Sequence, residues 1–145
     1  MIVDTSVLVA ILKEGPDAGV YDVALANAPK VRLSAGSYLE TAIVVDSNGD
    51  AVLSGRLDQL LAAAGAKIEP VTPAQAELAR RAYRDFGRGS GHRAKLNFGD
   101  CFAYALAKDT GEALLFKGQD FVYTDLPAAI PAGTSNDGDR LTRKG

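Results

Sequence analysis

Four acidic residues occur in surroundings that could bring their carboxylates together. Asp4 follows two apolar residues, Glu40 lies within an apolar helical stretch, and Asp100 lies in the first turn of a predicted helix. Asp120 falls in the turn after a late apolar segment. Carboxylates that converge either raise one another's pKa or bind a cation. A divalent ion held by such oxygens beside a phosphate can activate water, so the set predicts metal-dependent phosphodiester hydrolysis.

Each of these acids also has an ordinary structural interpretation. Asp4 could cap a helix, and Glu40 could be an exposed helix glutamate. Asp100 in a first helical turn is favoured by the helix dipole alone, and Asp120 could be a turn residue. The prediction of a site therefore depends on the four acids converging.

A dense basic stretch precedes Asp100. It contains Arg80, Arg81, Arg84, Arg88, Arg93 and Lys95. It surrounds a glycine-rich segment, 87–93, that predicts a flexible loop. These side chains are either an ordinary charged helix face or a grip for nucleic-acid phosphates. His92, the single histidine, is predicted to contact solvent or phosphate rather than act as a general base, and Lys117 could contact a phosphate or cover the sheet end.

Composition favours one soluble domain. The chain has 145 residues, of which 47% are hydrophobic, and its formal net charge is -2. An acidic protein attracts nucleic acid only through local basic clusters. Cys101 is the single cysteine, so neither an internal disulfide nor a thiolate zinc cluster is expected. No apolar run is long enough to span a bilayer and no signal peptide is predicted, which together indicate a cytoplasmic protein.

Strand-like and helical segments alternate along the chain. Strands are predicted at 1–4, 31–33, 67–71 and 113–116, and helices at 7–13, 17–28, 35–45, 50–65, 73–86 and 98–110. Thr5 or Ser6 is the predicted cap of the first helix, and Asn97 of the last. This alternation predicts a parallel sheet covered on both faces, with functional groups at the carboxyl ends of the strands.

Several segments resemble a known family. The opening MIVDTSVL (1–8) resembles the first strand and turn of PIN domains. The segment LNFGDCFAYALA (96–107) is similar to the third-acid helix of VapC-type toxins of bacterial toxin–antitoxin pairs. Segments 34–41 and 114–121 resemble the regions of the second and fourth acids. The resemblance spans residues 1 to about 132 in order.

This resemblance implies a three-layer α/β/α fold with a mainly parallel sheet in residues 1–133, followed by a polar tail, 134–145, predicted to be flexible. It implies an endoribonuclease dependent on Mg²⁺ or Mn²⁺, with Asp4, Glu40, Asp100 and Asp120 as catalytic and metal-binding residues. It also implies a VapB-type antitoxin partner, a homodimer, and contact with DNA only through the antitoxin. Phosphate contacts are expected from Arg88, Arg93, Lys95 and Lys117.

One position departs from the family pattern. Many PIN domains carry Ser or Thr two residues before the fourth acid, whereas this chain has Gly118. The supporting hydrogen bond to the acids is therefore expected from Thr5 or Ser6.

Other functions are compatible with parts of the sequence. A housekeeping nuclease of the same fold, a non-catalytic PIN-like binding module and a DNA-cleaving variant remain open. A haloacid-dehalogenase phosphatase would need a second aspartate where Ser6 stands, and a receiver domain fits Asp4 and Lys117 only loosely. No P-loop and no dinucleotide-binding glycine pattern occurs.

Overall fold

Short apolar strands alternate with helices along the chain. The computed structural model describes residues 1–130, and the predicted tail at 134–145 lies outside them. The strands are β1 (Ile2–Val3), β2 (Arg32–Ser34), β3 (Lys67–Glu69) and β4 (Leu114–Leu115). The helices are α1 (Thr5–Leu12), α2 (Ala18–Asn27), α3 (Ala35–Asp46), α4 (Ala51–Ala63), α5 (Pro73–Phe86) and α6 (Asp100–Thr110), followed by a short 3₁₀ helix (Asp120–Tyr123).

The four strands form one parallel sheet in the order β3-β2-β1-β4. The chain adds β2 and β3 on one side of β1 and then returns to place β4 on the other side. The order therefore reverses between β1 and β4. In open parallel sheets, the crevice at the carboxyl ends of two such strands is the usual ligand site.

Helices cover both faces of the sheet because successive strand residues point to opposite sides. Ile2 and Leu114 pack with α5 and α6 on one face. Val3 and Leu115 pack with α1, α2 and part of α4 on the other. All four of these strand residues are buried, which confirms the predicted α/β/α layering.

Helix starts differ from the predictions at two places that matter for the site. Helix α1 begins at Thr5 and its cap is Asp4, whose Oδ2 accepts from the Ser6 amide at 3.0 Å, so the predicted cap at Thr5 or Ser6 is wrong. Helix α6 begins at Asp100 rather than at Phe98. Strands β1, β3 and β4 are also shorter than predicted, and β2 lies one residue later. In β1 the strand is short because its helix follows at once.

Helix α5 was predicted correctly, because residues next to one another in the sequence determine where it starts. Thr72 caps it by accepting from the Gln75 amide at 3.1 Å, and Pro73 occupies the first helical position. Among residues 1–130, no helix is long and apolar enough to cross a membrane.

Candidate active site

Asp4 lies buried at the carboxyl end of β1. Its side chain is 3% exposed, and burial raises its pKa to about 6 against the opposing effect of hydrogen bonds from Ser6. The nearby carboxylate of Glu40 raises the pKa further. Capping α1 therefore does not remove Asp4 from the site, since the same carboxylate faces another acid.

Asp100 lies half-buried at the start of α6, held by a reciprocal pair of hydrogen bonds. Its Oδ2 accepts from the Asn97 amide at 3.0 Å, and Asn97 Oδ1 accepts from the Asp100 amide at 2.9 Å. Burial raises the pKa of Asp100 to about 7, and the charges of Asp4 and Asp120 add to that rise. A hydrogen bond between the carboxyl groups of Asp100 and Asp120 favours a proton there as well.

Glu40 extends from α3 toward the same carboxyl end of the sheet and packs against Gly99. We call this end, with Asp4, Glu40, Asp100 and Asp120, the acidic rim. A β-carbon built on Gly99 would lie 1.6 Å from Glu40 Oε2, so the carboxylate occupies the space that a side chain at position 99 would fill. One turn earlier, a β-carbon on Gly36 would lie 2.4 Å from the ring of Phe102. Helices α3 and α6 thus meet through two glycines, and the contact at Gly99 places the Glu40 carboxylate against the residue that precedes Asp100.

Ser6 connects the first acid to the turn that carries the fourth. Its amide donates to Asp4 Oδ2 at 3.0 Å, and its Oγ accepts from the Lys117 amide at 2.9 Å. Gly118 has a φ of 99°, in the left-handed region that favours glycine. The turn conformation thus accounts for the missing hydroxyl at position 118, and Ser6 places one beside the same turn.

Thr5 has a different role from Ser6. Its hydroxyl donates to the Ser37 carbonyl at 3.1 Å, and the Thr41 hydroxyl donates to Thr5 Oγ1 at 3.1 Å. All three side chains are buried. This network joins α1 to α3, so the Thr5 hydroxyl acts on the relative position of the helices that carry Asp4 and Glu40.

The converged carboxylates have no cationic neighbour within the described part of the chain. No lysine, arginine or histidine there lies within 4.0 Å of Asp4, Glu40, Asp100 or Asp120. Within residues 1–130, no three His, Cys, Asp or Glu side chains already form a closed cage for an ion. Buried, uncompensated oxygen ligands fit a hard ion such as Mg²⁺, which often binds one or two carboxylates and keeps several waters.

The glycine-rich segment before Asp100, for which a flexible loop was predicted, is closed at its base by backbone hydrogen bonds. The Arg88 amide donates to the Leu96 carbonyl and the Leu96 amide donates to the Phe86 carbonyl, both at 2.9 Å. Arg88, His92 and Lys95 line a cleft of about 570 Å³ together with Asp120. The basic loop therefore adjoins the acidic rim.

The other two candidate phosphate ligands are placed differently. The guanidinium of Arg93 lies 4.2 Å from the centre of the Tyr123 ring, and Arg93 is not among the residues that line the cleft. The ammonium of Lys117 lies 3.7 Å from a carboxylate oxygen of Asp17.

Two site features escaped the sequence analysis. The carboxylate pocket at Gly99 and the reciprocal bonds of Asn97 both lie in the segment Asn97-Phe98-Gly99-Asp100. A glycine directly before a candidate catalytic acid was the available signal, because a missing side chain there allows another group to approach closely.

Comparison with known proteins agrees with this fold. A family model of the PIN domain matches residues 1–126, so the class that the fold and the acidic rim define is that of PIN domains. Ribonuclease VapC28 of Mycobacterium tuberculosis is 58% identical over 130 residues, which cover 90% of this chain and 98% of that protein. Ribonuclease VapC of Mycolicibacterium smegmatis is 49% identical over 128 residues, covering 88% and 98%. The chain belongs to the PIN-domain family, in its VapC ribonuclease branch.

Solved structures share the architecture. The crystal structure of Mycobacterium tuberculosis VapC20, described as a sarcin-ricin loop cleaving toxin, matches with a TM-score of 0.70 at 20% identity, covering 90% of this chain and 98% of that one. A chain of a toxin–antitoxin complex from Klebsiella pneumoniae matches with a TM-score of 0.63 at 17% identity, covering 86% and 92%. At these identities the likeness concerns the fold alone. Family membership makes the protein a nuclease, as the resemblance implied.

Proposed function

We propose that this chain is an Mg²⁺- or Mn²⁺-dependent endoribonuclease that acts as the toxin of a toxin–antitoxin pair, with its PIN domain in residues 1–133. The observation that carries the proposal is the cluster of carboxylates at the reversal point of the sheet, which has no cationic partner within residues 1–130. Its relatives are named ribonucleases, which supports RNA as the substrate.

The burial and contacts of each residue in the cluster suggest its role in binding the ion. Asp4 and Asp100 are the proposed primary ligands of the ion, and Glu40 and Asp120 complete its surroundings directly or through water. When bound, the ion supplies an activated water and offsets charge on the leaving oxygen. Asn97 and Ser6 hold Asp100 and Asp4 in place. Arg88 and Lys95 hold the RNA backbone, with smaller contributions from Arg93 and Lys117, whose side chains have other contacts.

Total RNA incubated with the purified protein tests the proposal. New 5′ ends should appear with Mg²⁺ or Mn²⁺ and disappear with chelator. Asp100→Asn should lower the cleavage rate by roughly a hundredfold or more, because it removes a ligand charge that acts on the transition state. Asp58→Asn, an exposed acid on α4, is the matched control and should cleave normally. Normal cleavage by a folded Asp100→Asn protein would exclude this site. Absence of cleavage by the unmodified protein with either metal would favour a non-catalytic binding module.

A small VapB-type antitoxin is the proposed inhibitor. Helices α3 and α4 expose several large apolar side chains, namely Leu39, Ile43, Val44 and Val52. An amphipathic antitoxin helix could bury them, and a basic side chain from it could pair with Asp4 and Asp100. Contact with DNA would then come only through the antitoxin.

A homodimer is the proposed state of the toxin itself. An apolar hollow of about 340 Å³ lies between α5 and α6, lined by residues that include Tyr83 and Phe102. Phe98, which also lines the hollow, is 77% exposed. A second copy covering this surface would remove an aromatic ring from water, which favours self-association.

A further inference from the structure

The closed loop 87–96 holds its own shape through short-range hydrogen bonds. Ser90 Oγ donates to the Gly87 carbonyl at 2.7 Å and accepts from the His92 amide at 3.1 Å. Ala94 is buried and anchors the loop on the core. Lys95 has a φ of 51°, a conformation that costs free energy in a non-glycine residue. The surrounding contacts thus hold the loop in one arrangement over the cleft.

His92 is oriented by two contacts that use one side of its ring. Its Nδ1 accepts from the Ala94 amide at 3.1 Å, and its ring meets the Phe86 ring edge-to-face with the centroids 4.9 Å apart. An imidazole that accepts at Nδ1 carries its proton on Nε2. Nε2 has no hydrogen-bond partner among the described residues, and His92 lines the cleft that holds Asp120. The ring therefore offers one fixed donor to a ligand in that cleft.

Two cations lie in the same cleft without acidic partners. In the described part of the chain, neither Arg88 nor Lys95 has a carboxylate within 4.0 Å. Both side chains are exposed. Two unpaired cations and one oriented N–H donor match the needs of a phosphate group, which accepts charge-assisted hydrogen bonds from several directions.

We propose that His92 is a substrate-binding residue: it donates from Nε2 to the RNA phosphate that Arg88 and Lys95 hold next to the acidic cluster. This inference rests on the proposed RNA cleavage and deepens it. The scissile phosphate lies at the carboxylates, so the phosphate in this cleft is a neighbouring one along the strand. Such a contact positions the RNA without reading its bases.

Two substitutions separate this role from a merely structural one. In His92→Asn, the amide oxygen can still accept from the Ala94 amide, but no donor reaches the cleft. In His92→Gln, the amide nitrogen takes the place of Nε2, whereas the bond to Ala94 is lost. Each change is made in the Asp100→Asn background, so that RNA is bound and not cut. Binding of a fluorescein-labelled 12-nucleotide oligouridylate is then followed by anisotropy with Mg²⁺ present.

His92→Asn should weaken this binding about tenfold, the loss expected for one hydrogen bond to a charged acceptor. His92→Gln should retain most of the affinity. Arg88→Gln should lower the slope of log Kd against log salt by about 0.7, the value for one phosphate contact on a single strand. Lys30→Gln changes an exposed lysine before the amino end of β2, whereas the acids lie at the carboxyl ends, and it should leave the slope unchanged.

The outcomes distinguish the two proposals. If the unmodified protein cleaves RNA while His92→Asn binds the oligouridylate normally, the assignment of His92 is wrong and the nuclease proposal stands. Loss of affinity in His92→Gln but not in His92→Asn would show that His92 only shapes the loop. If the unmodified protein neither cleaves nor binds RNA, both proposals fail.

Discussion

At the residue scale, the carboxyl groups of Asp4 and Asp100 make the stability of the protein depend on pH. Their pKa values are raised to about 6 and about 7, from 3.8, chiefly by burial. A carboxyl group whose pKa is higher in the folded than in the unfolded state binds more protons when folded. Its contribution to stability is therefore full below the unfolded pKa and is lost as pH rises through the folded pKa.

The metal-free protein should thus become less stable as pH rises from about 5 to about 7.5. Asp4→Asn should raise the free energy of unfolding near neutral pH by up to about 3 kcal/mol, the equivalent of the shift at Asp4. It should also flatten the pH dependence. Asparagine can still cap α1, so the fold is retained while cleavage is lost. Urea unfolding with chelator, at several pH values, measures this.

Other acids do not obscure that pH window. The pKa values of Asp125 and Glu112 are lowered, by hydrogen bonds from Lys108 and from the N-terminal ammonium against the effect of burial, so their contributions are lost only in more acidic solution. Asp58→Asn serves as the control and should leave the curve unchanged. A chelated protein whose stability rises between about pH 5 and 7.5 would show that burial does not raise the pKa values of Asp4 and Asp100 in solution.

At the element scale, the contact of α3 with α6 decides where Glu40 lies. Gly99 has helical backbone angles, φ −63° and ψ −39°, so alanine fits the chain there. Its β-carbon would displace the end of the flexible Glu40 side chain. Gly99→Ala should therefore leave the melting temperature nearly unchanged while lowering the cleavage rate roughly ten- to a hundredfold, because a catalytic group is misplaced.

Substitutions at two other glycines are controls for Gly99→Ala, which should affect activity and not stability. Gly36→Ala would press on the Phe102 ring, so it should destabilise the fold by about 1–3 kcal/mol through overpacking. Gly55→Ala on α4 meets nothing within 4 Å and should stabilise the protein slightly without affecting cleavage. Full activity in Gly99→Ala would mean that the position of Glu40 is not important for the reaction.

At the scale of the whole molecule, two apolar surfaces are assigned to two different partners. Phe98→Asp places a charge on the proposed dimer surface, and Ile43→Asp places one on the proposed antitoxin surface. Phe98→Asp should yield a monomer by light scattering and still bind the antitoxin encoded beside it in the host. Ile43→Asp should remain dimeric and bind that antitoxin at least about tenfold more weakly, since one buried anchor is lost.

These reciprocal variants control for one another. A monomeric unmodified protein would remove the dimer proposal, whereas normal antitoxin binding by Ile43→Asp would move that partner to another surface. If both variants lose both interactions, one shared surface serves the two partners.

Much of this protein was determined by short stretches of sequence. The cap and proline at Thr72-Pro73 set the start of α5 locally, and the alternation of apolar strands with helices was enough to predict a parallel sheet. The order of acids along the chain, together with segment 96–107, was enough for the family. These features depend on residues that are neighbours in the sequence, so they can be predicted without the tertiary structure.

Only the tertiary structure decided how the acids and their supports meet. Asp4 is both the cap of α1 and a member of the acidic cluster, because one oxygen accepts from Ser6 while the fold brings the carboxylate near that of Glu40. Glu40 and Gly99 are 59 residues apart in the sequence, so no local sequence pattern predicts their close approach. The same holds for His92, whose orientation depends on Phe86 and on the Ala94 amide. Desolvation and charge repulsion are properties of assembled groups, and they arise only when the chain has folded.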